Sequence, residues 1–174
     1  MSYSVVFCSK TGNTELLANR IRKVLGEEGC VYFGAPESAP DEARSADVIF
    51  AGSWTDKGTA TPELTAFLEK LDRARVFLFG TCGFGESDEY FNQVLARTRD
   101  ALPSSNELVG SFMCQGRMPE GILERYRGML AAAEPDSPEA KRAALFISNF
   151  EKARSHPDAN DLRSLDARVK ELGL

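Results

Sequence analysis

Residues 9–14 read Ser-Lys-Thr-Gly-Asn-Thr and join an apolar run at residues 3–8 to a helical pattern that begins near Glu15. A strand that ends in such a loop and continues as a helix presents several unpaired backbone N–H groups at the positive end of the helix dipole. That arrangement binds anions such as phosphate. Ser, Thr, Asn and Gly are also the residues that cap ordinary strand-to-helix turns. The stretch alone therefore leaves a phosphate cradle and a plain capped turn as alternatives.

Strand and helix patterns alternate along the rest of the chain. Apolar runs predict five strands, at residues 3–8, 30–33, 47–52, 75–80 and 107–114, the last interrupted by Gly110. Helical spacing follows the first, third and fourth runs, whereas residues 36–45 have room for at most a short helix. This order predicts one α/β domain over residues 1–174, with a parallel sheet between two helical layers. Three more helical patterns predict that residues 119–174 form an extension packed on the same domain.

In parallel sheets of this kind, ligands bind outside the carboxyl ends of the strands. The loops expected to form a site are therefore residues 9–14, 53–61 and 81–90. They do not match a nucleoside-triphosphate loop, because the pattern Gly-x-x-x-x-Gly-Lys-Ser/Thr is absent. The Gly83-Phe84-Gly85 stretch also lacks the third glycine of a dinucleotide fingerprint, since residue 88 is Asp.

Two other phosphate chemistries are disfavoured by single positions. Cys8 precedes the 9–14 loop as in cysteine phosphatases, but the phosphate-clamping arginine expected six residues later is Thr14. A phospho-accepting receiver domain would need an aspartate at the end of the third strand, where Ser53 stands. His156, in a Ser-His-Pro-Asp turn far along the chain from these loops, is expected to be a helix-start element.

Composition narrows the class of protein further. The net charge of −5 and the absence of a basic block disfavour a nucleic-acid partner. The cysteines form no Cys-x-x-Cys pair and there is one histidine, so no metal site is expected. We see no secretory signal and no apolar span of transmembrane length, and reduced cysteines suit the cytoplasm, so a cytoplasmic protein without membrane contact is expected.

Aromatic residues mark two of the three loops. Trp54 is the single tryptophan and follows the third strand, while Phe84 and Tyr90 follow the fourth. Aromatic side chains on adjacent loops beside a phosphate cradle can sandwich a flat conjugated ring, which adds about 0.5–1.5 kcal/mol per stacked pair to the gain from apolar burial. Each of them could instead anchor its loop or, for Tyr90, begin the inner face of the next helix.

Together, the Ser-x-Thr-Gly-Asn-Thr loop, Trp54 and the glycine-rich loop with Tyr90 resemble the flavodoxin family over nearly the whole chain. The resemblance implies a three-layer sandwich with strand order 2-1-3-4-5 and a noncovalent FMN. It also implies that residues 9–14 wrap the phosphate, that Trp54 and Tyr90 flank the isoalloxazine, and that backbone groups at 55–58 and 81–85 bond its polar edge. Lys10 is expected to point to solvent. The cofactor-binding set is Ser9, Lys10, Thr11, Gly12, Asn13, Thr14, Ser53, Trp54, Thr55, Gly58, Thr81, Cys82, Gly83, Phe84, Gly85 and Tyr90.

Charge on the loops would tune such a cofactor. Acidic candidates near the ring are Asp56, Glu86, Asp88 and Glu89. Close to the flavin they would disfavour an anionic reduced form and lower the reduction potential, whereas as a solvated rim they would have little effect. The protein itself would supply binding and tuning, with no catalytic acid or base.

The chain departs from an ordinary short flavodoxin after the second and fifth strands, because it has no full second helix and has three helical patterns at its end. The Cys114–Met118 junction and the closing Ser-His-Pro-Asp segment resemble a flavodoxin-like branch in anaerobic bacteria, which includes companions of bacterial bilirubin reductases. The resemblance implies electron transfer between redox partner proteins, one of them a reductase. An FMN-dependent NAD(P)H or quinone reductase and a flavin-free binding module remain alternatives.

Overall fold

A computed structural model of the chain describes residues 1–85 and 87–174. At its centre is a five-stranded parallel sheet whose strands lie in the order β2-β1-β3-β4-β5. The predicted α/β sandwich and its strand order are thereby confirmed. The strands are β1 (Tyr3–Cys8), β2 (Cys30–Gly34), β3 (Val48–Trp54), β4 (Arg75–Cys82) and β5 (Glu107–Gln115).

Seven α-helices occur in the described residues, together with a 3₁₀ turn at Pro36–Ser38. None of those helices is both long and apolar enough to cross a membrane. The helices are α1 (Asn13–Leu25), α2 (Asp41–Arg44), α3 (Pro62–Leu68), α4 (Asp88–Arg99), α5 (Glu120–Ala132), α6 (Pro138–Ala153) and α7 (Ala159–Lys170).

Two apolar clusters form the core around the sheet, one on each of its faces. Alternate residues of each strand point to opposite faces. On β3, for example, Phe50 contributes to the cluster under α1 and α7, whereas Ile49 and Ala51 contribute to the cluster under α2 and α3. The central strands are apolar on both faces because helices cover both of them.

Of the three C-terminal helices, α7 closes the sheet. It packs beside α1, where Leu165 and Val169 are fully buried in the same cluster as Leu17. An ion pair fixes the two helices together, with Arg20 Nε 2.7 Å from Asp166 Oδ1. Helices α5 and α6 pack mainly on each other; we call residues 120–153 the hairpin.

Strand ends differ from the sequence prediction at the edge where ligands are expected. β3 runs on through Ser53 and Trp54, and β4 through Thr81 and Cys82, so these residues belong to strands and not to loops. Ladder pairing of Trp54 with Thr81 extends both strands, and Cys82 continues β4 by pairing with Gln115 of β5. Gly110 does not interrupt β5, because the chain absorbs it as a shift in register against β4.

Candidate functional site

The turn between β1 and α1 keeps its backbone donors free. Gly12 is the N-cap of α1 with φ +84°, a left-handed conformation that glycine adopts without strain. Ser9 Oγ accepts the N–H of Glu15 at 3.2 Å. Within the described part of the chain, the N–H groups of residues 10–14 donate to no protein acceptor. This helix start therefore presents a row of donors that an anion can bind.

Side chains of this turn fasten it to β4 and to the segment after β5. Asn13 Nδ2 donates to Thr11 Oγ1 at 3.0 Å and to the carbonyl oxygen of Arg117 at 2.8 Å. The buried hydroxyls of Thr14 and Thr81 are hydrogen-bonded at 3.0 Å. Asn13 and Thr14 thus hold the loop in shape, and the groups left for an anion are backbone N–H groups and hydroxyls.

The end of β3 turns tightly after Trp54. Ser53 Oγ accepts the N–H of Thr61 at 3.0 Å and donates to the carbonyl oxygen of Trp54, so Ser53 is buried and closes the turn. Thr55 N–H donates to the carbonyl oxygen of Thr81 at 2.8 Å. The turn reverses at Gly58, whose φ is +85° and whose carbonyl accepts a hydrogen bond from Arg97. Ser53 and Gly58 therefore shape the turn.

Trp54 itself is half-buried at the sheet edge. The Nζ atom of Lys10 lies 5.0 Å from the centroid of the Trp54 ring, a distance at which an ammonium group is attracted to an aromatic face. Lys10 is exposed, as expected, but it leans over the indole.

A buried polar network holds the chain after β4. Asn149 of α6 donates through Nδ2 to the carbonyl oxygen of Gly83 at 2.8 Å. Its Oδ1 accepts from Gly85 N at 3.3 Å and from Gln115 Nε2 at 3.0 Å. Both amide side chains are at least nine-tenths buried. Because buried amides need all their partners, this network fixes the path of residues 83–85.

Aromatic rings surround the same loop. Phe84 is 38% exposed and meets Tyr90 and Phe146 edge-to-face, with centroids 6.2 Å and 5.5 Å away. Phe146 in turn packs on Tyr126 at 5.1 Å. Tyr90 lies on the first turn of α4, and its ring occupies the space that a Cβ on Gly85 would need.

A pocket of about 310 Å³ opens where these elements meet. It includes many of the predicted site residues together with a segment that sequence reasoning did not assign to the site. Its lining consists of Lys10, Thr11, Asn13, Trp54, Thr55, Thr81, Cys82, Gly83, Phe84, Gly116, Arg117, Met118, Pro119, Ile122 and Tyr126. Of the predicted residues, Ser9, Gly12, Thr14, Ser53, Gly58, Gly85 and Tyr90 lie outside the lining.

The segment that sequence reasoning missed is the β5–α5 junction and the first turns of α5. An ideal Cβ on Gly116 would lie 2.7 Å from Asn13 Nδ2, so glycine permits the junction to pack on the 9–14 loop. Arg117 N–H donates to the carbonyl oxygen of His156 at 2.8 Å. The unusual Cys114–Met118 sequence was the available signal for this segment, although it did not say where the segment would lie.

Larger pockets exist elsewhere, and the largest of those described is about 680 Å³ along the open edge of β5. Its lining includes neither the start of α1 nor Trp54. At the 9–14 edge, the charged residues in the lining are Lys10 and Arg117, and the acidic candidates Asp56, Asp88 and Glu89 are not part of it. Glu86 lies outside the described residues.

Cysteine and histidine chemistry does not account for the pocket. Burial raises the pKa of the Cys82 thiol to about 12 and also raises the pKa of Cys8, so both remain protonated near neutral pH. His156 Nδ1 lies 2.6 Å from Asp161 Oδ2, and Asp158 and Asp161 form a capping box at the start of α7. Hydrogen bonds from backbone N–H groups lower the pKa of Asp158. This cluster organises a helix start.

Comparison with known proteins shows the family of the chain. The model of the flavodoxin domain family matches residues 4–170. The flavodoxin-like domain-containing protein BilS of Clostridium symbiosum is 41% identical, over 93% of this chain and 90% of its own. BilS of Clostridioides difficile is 30% identical over the same shares.

Solved flavodoxin structures have lower similarity. A short-chain flavodoxin associated with a non-canonical PDU bacterial microcompartment is 19% identical, with a TM-score of 0.49 over 89% of this chain and 99% of that one. Two-electron reduced Megasphaera elsdenii flavodoxin is 23% identical, with a TM-score of 0.48 over 86% and 98%. The family match and the BilS relatives, which span nearly the full chain, show that this protein belongs to the flavodoxin family.

Proposed function

We propose that this flavodoxin binds FMN noncovalently in the pocket at the carboxyl edge of the sheet and carries electrons to a separate reductase protein. The observation that supports this most strongly is the juxtaposition, in one pocket, of the Trp54 indole with the turn whose N–H groups at residues 10–14 are free. FMN has the matching chemistry, a phosphate at one end and a flat ring at the other.

The residues present fit the cofactor. Hydrogen bonds to a charged phosphate contribute about 1.5–3 kcal/mol each, so the donors of the 9–14 turn can hold it without an arginine. The pocket, at about 310 Å³, lies at the small end of ligand sites, which span roughly 300–1,000 Å³. For the polar edge of the ring, the N–H groups of Gly83 and Phe84 stand beside the pocket and have no acceptor among the described residues.

Bound FMN would supply the electron transfer, and the chain would supply binding, orientation and exclusion of water. Trp54 and the apolar residues of the junction would shelter the ring. Lys10 and Arg117, which line the pocket, would bring positive charge near it, opposite in sign to the acidic rim that the loops suggested. Positive charge favours an anionic reduced flavin and raises its reduction potential.

The partner in this proposal is a reductase. The relatives at 41% and 30% identity are BilS proteins, and the flavodoxin-like branch that the sequence resembles includes companions of bilirubin reductases. Residues of α5 line part of the pocket, and its volume of about 310 Å³ favours a carrier over an enzyme that also has to seat a nicotinamide. The described cysteines are all free thiols, as a cytoplasmic protein would have them.

The first test is the absorption spectrum of the purified protein and its titration with FMN. We expect a yellow protein, or a colourless one that takes up FMN tightly. Trp54→Ala should weaken FMN binding by about 1 kcal/mol or more, because the ring loses its stacking partner. A protein that neither contains nor takes up flavin would overturn the proposal and leave the flavin-free binding module.

A second test separates carrier from enzyme. FMN-loaded protein is mixed with NADH or NADPH under anaerobic conditions and its absorbance is followed. We expect the flavin to stay oxidised, because a carrier of this kind needs a separate electron-donor protein to reduce it. Rapid bleaching without a partner would instead identify a direct NAD(P)H reductase.

A further inference from the structure

We propose that the second wall of the flavin site is the hairpin: Tyr126 on α5 faces the ring opposite Trp54, and Asn149 on α6 sets the loop beneath it. This inference rests on the proposed FMN function and goes beyond it, because the flavodoxin resemblance places Tyr90 in that position. The structure supports it through the lining of the pocket, which includes Met118, Ile122 and Tyr126 and does not include Tyr90.

Tyr126 is held for this role by α6. Its ring is half-buried and packs on Phe146 at 5.1 Å, with the two planes tilted by 42°. Phe146 also contacts the edge of Phe84, which lines the pocket from the β4 side. The three rings therefore form one aromatic wall that runs from the hairpin to the loop after β4, and its first and last members face the pocket.

Tyr90 has a different set of contacts. Its ring lies against Gly85, where an added Cβ would come within 2.3 Å, and it meets Phe84 edge-on. Phe84 and Gly85 stand on the chain between β4 and α4, so Tyr90 supports that loop from outside the pocket. Tyr90 therefore acts as a packing residue behind Phe84.

Asn149 connects the hairpin to the backbone that would bond the ring. Its Nδ2 donates to Gly83 O and its Oδ1 accepts from Gly85 N and Gln115 Nε2, an orientation of the amide in which each atom finds a matching partner. The peptide of Gly83 is consequently turned so that its carbonyl faces α6. We infer that Asn149 is a positioning residue, which acts on the flavin through residues 83–85.

The experiment compares two tyrosines that the two hypotheses treat oppositely. FMN dissociation constants are measured by quenching of flavin fluorescence for the wild type, Tyr126→Leu, Tyr126→Phe and Tyr90→Leu. We expect Tyr126→Leu to weaken binding about threefold to tenfold and to alter the flavin absorption bands, since a stacked ring is lost. Tyr126→Phe keeps the ring and should stay within about twofold of the wild type, as should Tyr90→Leu.

The outcomes separate the inference from the function on which it rests. Weakening by Tyr90→Leu with none by Tyr126→Leu would overturn the inference and leave FMN binding intact. A wild type that takes up no FMN would overturn both. If Tyr126→Leu does not fold, hydrogen exchange of the wild type decides: added FMN should slow amide exchange in residues 120–132 as well as 10–14. Slowing at 10–14 alone would overturn the inference.

Asn149 has its own readout. Asn149→Asp keeps the shape but replaces the donor to Gly83 with a carboxylate oxygen. We expect this variant to change the reduction potential and the absorption spectrum of the bound flavin. An unchanged potential in a folded Asn149→Asp protein would remove Asn149 from the inference.

Discussion

The carboxyl edge of the sheet and the hairpin both line the pocket, but different interactions hold them in place. At the edge, β3 and β4 are paired as far as Trp54 and Thr81. The apolar side chains earlier in these two strands belong to the two large clusters. The hairpin buries Leu123, Phe150 and two alanines, Ala143 and Ala153, and none of the four belongs to either cluster. Among the described residues, few hydrogen bonds join the hairpin to the sheet region. The buried ones are those of the Asn149 network.

The difference indicates that one region provides rigidity and the other provides adaptation. A site built on paired strand ends keeps its geometry because moving it would break the ladder. A helical pair with its own small core can shift or open at lower free-energy cost, because fewer buried contacts have to be broken. The ring would therefore lie between a fixed wall, Trp54, and a movable one, Tyr126.

The largest expected effect tests this directly with two fully buried leucines. Leu165→Ala in α7 should lower the free energy of unfolding of the whole domain by about 2–5 kcal/mol, because it leaves a cavity in a shared core cluster. Leu123→Ala in α5 removes the same atoms from the hairpin, and we expect a clearly smaller shift of the urea midpoint. Hydrogen exchange should then accelerate in residues 120–153 and not in the sheet.

Equal losses of global stability in the two variants would break the comparison. The hairpin would then unfold in the same cooperative unit as the sheet, and Tyr126 would be as fixed as Trp54.

The two regions also differ in how far the sequence predicts them. The 9–14 turn, the parallel strands and Trp54 could be assigned because each depends on local signals: an apolar run, a glycine at a left-handed position, a single tryptophan at a strand end. The hairpin was predicted as helices with apolar faces, but periodicity does not reveal what a face packs against. Tyr126 falls at helical spacing with the apolar residues of α5, but its position at the pocket depends on a contact with Phe146 on another helix.

Asn149 illustrates the same limit for polar residues. It lies beside Phe150 on α6 and could be taken for a surface residue, since asparagine is usually exposed. Its burial follows from partners at Gly83, Gly85 and Gln115, which are far away in sequence. Tyr90 is the opposite case, because its place in the chain suits a ring-facing role while the structure turns it against Gly85.

The next prediction concerns the point where the two regions touch. Gly116→Ala places a Cβ at 2.7 Å from Asn13 Nδ2, so the hydrogen bond from Asn13 to the carbonyl of Arg117 should be lost. We expect FMN affinity to fall by about 1 kcal/mol, roughly fivefold, because the phosphate turn loses its tie to the junction. Isothermal titration with FMN measures the change.

Gly128→Ala is the matched control for Gly116→Ala. Gly128 lies on α5 with nothing near its added Cβ, and alanine favours helix over glycine by about 0.5–1 kcal/mol. FMN affinity should not change. Loss of affinity in both variants would mean that the helix, and not the contact with Asn13, controls the site.

A smaller effect concerns the helix that closes the sheet, and it depends on pH. The hydrogen-bonded guanidinium of Arg20 lowers the pKa of Asp166. The pair therefore contributes stability above the ordinary carboxyl pKa of about 3.9, and that contribution is lost as the pH falls through the lowered value in the folded protein. Asp166→Asn should reduce stability at pH 7 by roughly a quarter of the Leu165→Ala effect or less, because water reaches the pair.

Urea titrations at pH 7 and near pH 3 measure this difference, which should shrink toward zero at the lower pH. Asp41→Asn is the control. The Asp41 side chain in α2 pairs with Arg44 but is fully exposed, so we expect the substitution to leave the free energy of unfolding unchanged. An Asp166→Asn effect that stayed constant with pH would mean that shape, and not charge, joins α1 to α7.

The smallest expected effect belongs to the fixed wall and comes from Lys10. Its ammonium lies over Trp54, so a stacked ring has to displace it, while its positive charge attracts the FMN phosphate. An exposed cation–π contact contributes about 0.5–1 kcal/mol, and the attraction of an exposed charge is of similar size, so the two largely offset each other. Lys10→Gln should therefore change FMN affinity by less than about threefold at low salt.

The part of this change that comes from charge should vanish at high ionic strength, where the Debye length is about 3 Å at 1 M. FMN titrations at low and high salt divide the two terms, because displacement of Lys10 from Trp54 persists in salt and long-range attraction does not. A loss of affinity well above tenfold at low salt would contradict this balance, because the phosphate would then depend on Lys10 more than on the N–H groups of the turn.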